Sequence, residues 1–242
     1  MLLTLQNGAA SPVDAFANDS TQKLPLGTVA YDGLGGVYRY CRAGAADLVA
    51  GSLYQSAAPV ANHLANTPPA VAAGDKSFTY TPGATAGAEN LYAEGYLQVD
   101  TTPGNGYLYR ISGHAAISSS TAFTLYLAEP VQVALTTFSR VGLIANPFKN
   151  VIVAATTVTA PVVGWATYPI TATYYGWLKT RGPVCALING TPGVGVGVVS
   201  SATTAGAVDV AAVAAEINVR IIGRMMQVGV STKNNAVYAM LD

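Results

Sequence analysis

Apolar residues occur along the chain in short runs that small and polar residues interrupt. The runs are rich in Val, Thr, Tyr and Ile, and Gly, Pro, Asn and Ser separate them. This pattern favours many short β-strands over helices. We predict strands at residues 37–42, 77–81, 92–100, 107–112, 123–128, 139–144, 151–155, 171–180, 184–188, 193–200, 208–213, 220–229 and 236–241. The expected fold class is all-β, with a β-sandwich or barrel core.

The character of the sequence changes along the chain and predicts three regions. Residues 1–35 show little periodicity and contain two prolines and a GLGG stretch, which is typical of an extended N-terminal arm ordered by neighbouring subunits. The stretch VANHLANTPPAVAAGD, residues 60–75, resembles a linker. It leads into an inserted small β-module at residues 73–145, which divides a β-sandwich or barrel core into residues 36–72 and 146–242.

The predicted arm carries isolated apolar side chains that could occupy successive shallow pockets on a neighbour. These anchors are Leu2, Leu3, Leu5, Val13, Phe16, Leu24 and Leu26. We take Leu3, Leu5 and Phe16 as candidate interface residues. On this interpretation the arm contributes little to the stability of its own domain.

The stretch TPGVGVGVV, residues 191–199, alternates glycine with valine. Phosphate-binding loops need the spacing G-x-G-x-x-G or G-x-x-x-x-G-K-[ST], and neither is present here. A period of two is that of a β-strand, which places Gly193, Gly195 and Gly197 on one bare face. We expect that face to pack against another backbone or an aromatic ring, and we include the three glycines among the candidate interface residues.

The charge content is unusually low. Only 10% of the 242 residues are Asp, Glu, Lys or Arg, and the formal net charge is zero, whereas about 25% charged residues is typical of soluble domains. Such a surface associates easily, so we expect a homo-oligomer or a larger assembly. The sequence shows no basic footprint for direct nucleic-acid contact, no secretion signal and no membrane-spanning segment.

Few residues are candidates for chemistry. His63 and His114 lie far from carboxylates and cysteines in sequence, and we expect both to be solvated loop residues rather than metal ligands or catalysts. Glu89 and Glu94 could form a glycosidase pair, although a role in solubility is the stronger interpretation. Two distant cysteines, Cys41 and Cys185, are expected to be reduced core residues. We therefore predict no catalytic residues, no metal site and no cofactor.

Aromatic residues are concentrated in GGVYRY, NGYLYR and ATYPITATYYGWLK. Alternation along the last stretch places Tyr175 and Trp177 on one face of a strand. That face could be a subunit interface, a platform on which sugars stack, or ordinary core packing. Tyr175 and Trp177 complete the set of candidate interface residues.

Several stretches resemble head decoration (cement) proteins of tailed bacteriophages. These are YYGWLKTRGPVCALINGTPGVGVGVV, VRIIGRMMQVGVSTKNNAVYAMLD and GGVYRYCRAGAADLVAGSLYQ, while YAEGYLQVDTTPGNGYLYRISGH is similar to β-modules of other phage virion proteins. The resemblance implies a β-rich protein on the outer surface of the capsid, commonly a trimer, that bridges subunits of the major capsid protein. It carries over no catalytic residue and does not account for the predicted arm.

The leading hypothesis is therefore a structural virion protein, made in the host cytoplasm, whose partners are the major capsid protein and further copies of itself. The alternative is a tail or fibre component that binds host surface polysaccharide through Tyr175 and Trp177. A polysaccharide hydrolase that uses Glu89 and Glu94 is a third hypothesis.

Overall fold

The computed structural model describes residues 1–5, 13–211 and 220–242. Part of the predicted arm, and the end of the strand predicted at residues 208–213, fall outside these residues. The chain divides into two compact units. Unit 1 is formed by residues 1–57 and 147–242, and unit 2 by residues 58–146.

The described residues form short strands and one 3₁₀ turn, so the predicted all-β fold class is confirmed. The turn is Ala61–His63. The strands are β1 Leu2–Leu5, β2 Val13–Asp14, β3 Val29–Tyr31, β4 Val37–Arg42, β5 Leu53–Gln55, β6 Ser77–Tyr80, β7 Tyr96–Thr101, β8 Leu108–His114, β9 Phe123–Leu127, β10 Arg140–Ile144, β11 Ile152–Val153, β12 Val162–Ala166, β13 Tyr175–Leu187, β14 Gly197–Ser200, β15 Val208–Val210, β16 Gly223–Met225 and β17 Asn234–Met240.

Unit 1 is built on a twelve-stranded sheet whose ladders are antiparallel. The main path runs β15-β14-β16-β17-β13-β4-β3-β1-β2, and β5, β11 and β12 join it through the pairing of β12 with β13. The core lies in three clusters of buried side chains along this sheet. The strand β13 is central to the unit because it pairs with β4, β12 and β17.

Unit 2 contains a five-stranded antiparallel sheet in the order β10-β7-β8-β9-β6. Its strands alternate buried and exposed residues, as in β8, where Tyr109 and Ile111 are buried and Leu108 and Arg110 are exposed. The buried face belongs to a single cluster that includes Tyr80, Leu97 and Leu125. One sheet with one apolar face is the arrangement that strict alternation favours.

The predicted N-terminal arm is wrong as a description of the first residues. In β1, Leu3 and Leu5 are buried while Leu2 and Thr4 are exposed, and the strand pairs with both β2 and β3. Leu3 and Leu5 belong to a core cluster of unit 1, together with Leu26. Leu-Leu-Thr-Leu is a short strand pattern with alternate side chains on the core face, so this segment folds against its own domain.

An ion pair also connects the N-terminal segment, by which we mean residues 1–35, to β13 at the centre of the sheet. The Lys179 ammonium on β13 lies 3.2 Å from Asp32 Oδ2, and both side chains are almost fully buried. The same ammonium lies 5.0 Å from the ring centroid of Tyr38. Burial alone would raise the pKa of Asp32, but N–H groups of Leu34 and Gly36 and the ammonium lower it below its ordinary value.

The predicted boundary of the inserted module also needs correction. The sequence placed residues 58–72 in the β-sandwich or barrel core, before the inserted module. In the structure they belong to unit 2. Asn66 bridges Val141 and Val71 bridges Leu135 through backbone hydrogen bonds, which attach the proline-rich stretch to unit 2. Side-chain composition alone does not reveal such backbone pairing.

Two strands predicted on either side of a Gly-Pro turn form one strand. The sequence predicted strands at 171–180 and 184–188, whereas β13 runs from Tyr175 to Leu187 through Gly182 and Pro183. Gly182 has a φ of +95°, and the ladder with β4 shifts register between Lys179 and Arg181. The glycine therefore accommodates an irregularity within the strand rather than a reversal of the chain.

Candidate functional site

The aromatic face predicted from the sequence lines a cavity in unit 1. The β13–β4 ladder places Trp177 opposite Tyr40 and Tyr175 opposite Arg42. Side chains of directly opposed residues in a ladder lie on the same face of the sheet. Pairing therefore gathers Tyr40, Tyr175, Trp177 and Arg42 on one surface.

The Tyr40 ring contacts the rings of both Tyr175 and Trp177. The Tyr40 and Tyr175 rings lie in nearly parallel planes, 14° apart, with centroids separated by 6.0 Å. The Tyr40 and Trp177 rings are tilted by 58° with a centroid distance of 5.2 Å. The Arg42 guanidinium carbon lies 5.9 Å from the Tyr175 centroid. Trp177 and Tyr40 are buried and Tyr175 is half-buried, so Tyr175 is the ring most open to a ligand.

The cavity has a volume of about 190 Å³ and opens to solvent on one side. Its other wall comes from β2 and from the segment between β2 and β3. The lining residues are Val13, Asp14, Ala17, Asp19, Lys23, Leu24, Tyr40, Tyr175, Gly176 and Trp177. The N-terminal segment thus supplies the polar side chains of the site and β4 and β13 supply its aromatic side chains.

Hydrogen bonds fix the polar wall. Asp19 exchanges two backbone hydrogen bonds with Tyr175, of 3.0 and 2.8 Å, and the Lys23 N–H donates to the Tyr40 hydroxyl at 3.1 Å. Asp14 accepts from the Met1 amino group at 2.8 Å and from the Phe16 N–H at 2.9 Å. The hydrogen bond from Met1 is the main cause that lowers the pKa of the Asp14 carboxyl. Burial raises the pKa of Tyr40, which stays a neutral phenol.

The candidate interface residues of the predicted arm lie in two different environments. Leu3 and Leu5 are core residues and are not available to a partner. Phe16 is exposed, and its ring contacts Tyr168 at a centroid distance of 6.0 Å. A role of Phe16 in an interface stays a prediction, whereas the two buried leucines do not belong to any free surface.

The predicted glycine face does not form. Residues 191–196 lie outside the strand, which begins at Gly197, and Gly195 has a φ of +76° in a turn. A Cβ at Gly195 would meet no atom within 4 Å, whereas one at Gly197 would lie 2.9 Å from Ile221 Cδ1. The expected packing against a backbone or ring is therefore wrong, because a left-handed glycine ends the alternation before the strand starts.

This turn adjoins a second loop to form an exposed, mainly apolar surface that we call the apolar tip. It consists of Val194, Met226, Val228 and Val230, whose exposed fractions are 63, 49, 60 and 51%. The exposed Arg224 guanidinium lies beside it and donates to the Gly195 carbonyl at 3.1 Å. Gly195 N–H donates to the Met225 carbonyl and Gly229 N–H to the Pro192 carbonyl, each at 2.8 Å, so the two loops are joined. Residues 190–197 and 226–231 contain no charged side chain.

Both histidines are buried in unit 2, which contradicts the expectation of solvated loop residues. His114 Nδ1–H donates to the Ala115 carbonyl at 2.7 Å, and its Nε2 accepts the Tyr92 N–H at 2.9 Å. His63 Nε2–H donates to the Thr85 carbonyl at 2.8 Å, and its Nδ1 lies 2.5 Å from the Tyr92 hydroxyl. Each ring is thus held by hydrogen bonds at both nitrogens in a structural network around Tyr92.

The remaining candidate groups are separate from the cavity. Glu89 is exposed, and Glu94 lies in a turn with a φ of +65°. Cys41 is buried as predicted, but Cys185 is exposed. Cys41 pairs with Gly176 in the β4–β13 ladder, nine residues along β13 from Cys185. At about 3.3 Å per residue the two cysteines are roughly 30 Å apart, which excludes a disulfide between them.

Sequence reasoning found Tyr175 and Trp177 but missed Tyr40, Asp14, Asp19 and Lys23. The clustering of tyrosines in GGVYRY was the available signal for Tyr40. No such signal existed in the sequence for the three polar residues, because they reach the cavity only through the pairing of the N-terminal segment with the sheet. Among the described residues, no group of three or more His, Cys, Asp or Glu side chains is placed to hold a metal ion.

Comparison of the chain with protein-family models, with curated proteins and with solved structures gave no match. Within the described part of the chain, no helix is long and apolar enough to cross a membrane.

Proposed function

We propose that this chain is a structural virion protein, a decoration or cement protein that binds the outside of a tailed-bacteriophage head and stabilises contacts between major capsid protein subunits. The observation that carries the proposal is the apolar tip. Four large apolar side chains lie exposed there on two joined loops whose own residues carry no charge, with the Arg224 guanidinium at their edge. Contact with another protein would remove them from water, at about 25 cal/mol per Å² of apolar surface buried.

The rest of the molecule supports the same proposal. Large apolar side chains are exposed on unit 2 as well, including Leu108, Tyr126 and Phe138. A low charge content reduces the electrostatic cost of covering these surfaces. The resemblance of several stretches to phage head decoration proteins points to the capsid as the partner, and to a trimer of this chain as the bound form.

The test is cosedimentation of the purified protein with empty heads assembled from the major capsid protein that the same genome encodes. We expect saturable binding in proportion to the capsomers. A Val228→Ser, Val230→Ser double variant should bind at least about tenfold more weakly, since two apolar contacts are lost. Gln227→Ser, an exposed polar change on the same loop, is the matched control and should bind like the wild type.

Heads that fail to bind the wild-type protein would contradict the proposal, and so would undiminished binding by the double variant. The proposed oligomer has a separate test by sedimentation equilibrium at micromolar concentration. A trimer is expected. A single species of 24.7 kDa would refute self-association in the absence of heads.

A further inference from the structure

The cavity between the aromatic strands and the N-terminal segment combines two kinds of lining. Tyr40, Tyr175 and Trp177 provide aromatic surface, while Asp19 and Lys23 are exposed side chains at its opening. Ligand sites typically pair an apolar lining with a few fixed polar groups. A volume of about 190 Å³ is smaller than the roughly 300–1,000 Å³ of sites that enclose drug-sized ligands. The space therefore suits one small ring.

The charges of this lining are balanced. The Asp14 carboxylate is occupied by the Met1 amino group and the Phe16 N–H. Of the other lining residues, Asp19 and Lys23 contribute one negative and one positive charge. The Arg42 guanidinium lies against the Tyr175 ring but is hydrogen-bonded to Asn150 and does not line the cavity. A cation would need an uncompensated carboxylate over the rings, and an anion would need more than one donor cation. The remaining chemistry favours a neutral ligand that both donates and accepts hydrogen bonds.

We propose that this cavity binds a single neutral sugar ring, either as a monosaccharide or as the terminal residue of a glycan. The C–H face of a pyranose is apolar and packs against aromatic rings such as that of Tyr175. Its hydroxyl groups donate to the Asp19 carboxylate and accept from the Lys23 ammonium. The inference goes beyond the proposed structural role and does not depend on it.

Hydrogen bonds fix part of the cavity wall before any ligand binds. Backbone hydrogen bonds in both directions between Asp19 and Tyr175 hold the Asp19 backbone beside Tyr175. The Lys23 N–H is bonded to the Tyr40 hydroxyl, which fixes the backbone that carries the ammonium. The aromatic rings and the backbone that carries the donor and the acceptor are thus already positioned before a ligand arrives, and this lowers the ordering cost of binding.

The experiment is saturation-transfer difference NMR on the full chain with glucose, galactose, mannose, N-acetylglucosamine and rhamnose, and with choline as the cationic probe. We expect at least one sugar to bind with a dissociation constant on the order of 1 mM, and we expect no signal from choline. Tryptophan fluorescence provides a second readout, because Trp177 lines the cavity.

Three variants test the assignment. Tyr175→Ala should weaken sugar binding at least about tenfold, and Asp19→Asn and Lys23→Met by about three- to tenfold each. Asp19 and Lys23 are exposed, so both polar variants should stay folded even if Tyr175→Ala does not. Tyr126→Ala, an exposed tyrosine of unit 2, is the matched control and should bind like the wild type. The inference is overturned if no sugar binds, if choline binds instead, or if all three variants bind unchanged.

Discussion

The N-terminal segment and the apolar tip both lack a helical sequence period, but their apolar side chains end in opposite environments. Each contains candidate interface residues predicted from the sequence, Leu3 and Leu5 in the first and Gly195 in the turn of the second. In the structure, β1 is paired on both sides and Leu3 is 1% exposed, whereas Val194 and Val228 at the tip are more than half exposed. Backbone pairing accounts for the difference, because a paired strand orients alternate side chains into a core and a turn does not.

The comparison shows which alternating sequence patterns form a strand. Leu-Leu-Thr-Leu alternates only weakly in polarity, yet it forms a strand because β3 and β2 supply partners. Gly-Val-Gly-Val alternates strictly, yet its first half is a turn because Gly195 adopts a positive φ. Surface that remains exposed after all pairing is satisfied is therefore the better guide to an interface.

The strongest way to break the comparison is to delete residues 1–35. The deletion removes Leu3, Leu5 and Leu26 from the core, and truncating one buried leucine costs about 2–5 kcal/mol. The summed cost for the three leucines is comparable to the whole free energy of unfolding of a typical domain, roughly 5–15 kcal/mol. We expect unit 1 to lose cooperative unfolding, measured by near-UV circular dichroism and urea titration. Unchanged unfolding would restore the interpretation of residues 1–35 as an arm.

Breaking the buried ion pair should have the next largest effect. Asp32→Asn leaves the Lys179 ammonium buried without its carboxylate, at a cost of about 3–5 kcal/mol. An Asp32→Asn, Lys179→Met double variant should recover part of that loss, since no unpaired charge remains. Urea denaturation of the two variants gives the comparison. Equal stability of the single variant and the wild type would show that the pair does not hold the segment.

The same carboxyl group predicts a response to acid. The pKa of Asp32 is lowered from 3.8 in the folded state, so its contribution to stability is present above that value and is lost as the pH falls through the folded pKa. The stability of the wild type should therefore fall more steeply below about pH 4 than that of Asp32→Asn. Thermal unfolding between pH 7 and pH 2.5 measures both curves. Parallel curves would contradict the assignment.

Two neighbouring leucines sharpen the comparison at a single strand. Leu3→Ala should destabilise unit 1 by about 2–5 kcal/mol, because it creates a cavity in the core. Leu2→Ala, with a side chain that is 66% exposed, should stay within about 0.5 kcal/mol of the wild type. Urea denaturation checks both. A similar effect of the two changes would mean that the alternation of β1 is not maintained in solution.

The smallest effect is expected at the tip. Gly195→Val places a β-branched residue at a φ of +76° and should cost about 1–3 kcal/mol through backbone strain, with no steric contact involved. Gly193→Val is the control, since a Cβ there meets only Val196 at an ordinary 3.7 Å. It should leave the melting temperature nearly unchanged. Equal melting of the two variants would show that residues 193–196 are a regular strand.

The sequence predicted local features well and long-range pairing poorly. The bounds of β4 were predicted correctly, because VYRYCR is a continuous run of strand-forming residues bounded by glycine and by small residues. The strands β1, β3 and β5 were missed, since each is short and is defined by its partners rather than by its composition. Two aromatic residues of the cavity, Tyr175 and Trp177, could be predicted from the alternation along β13. The polar lining could not, because Asp19 and Lys23 are brought to Tyr175 by chain folding over more than 150 residues.

The long strand β13 has a mechanical consequence. Its first half is paired with β4 and its second half with β17, and Arg181 takes part in both ladders. A pull along the strand direction therefore loads the hydrogen bonds of each ladder in shear, so that many bonds must fail together. A pull across the sheet would open them one by one. Unit 1 is accordingly expected to resist tension most strongly along the axis of β13.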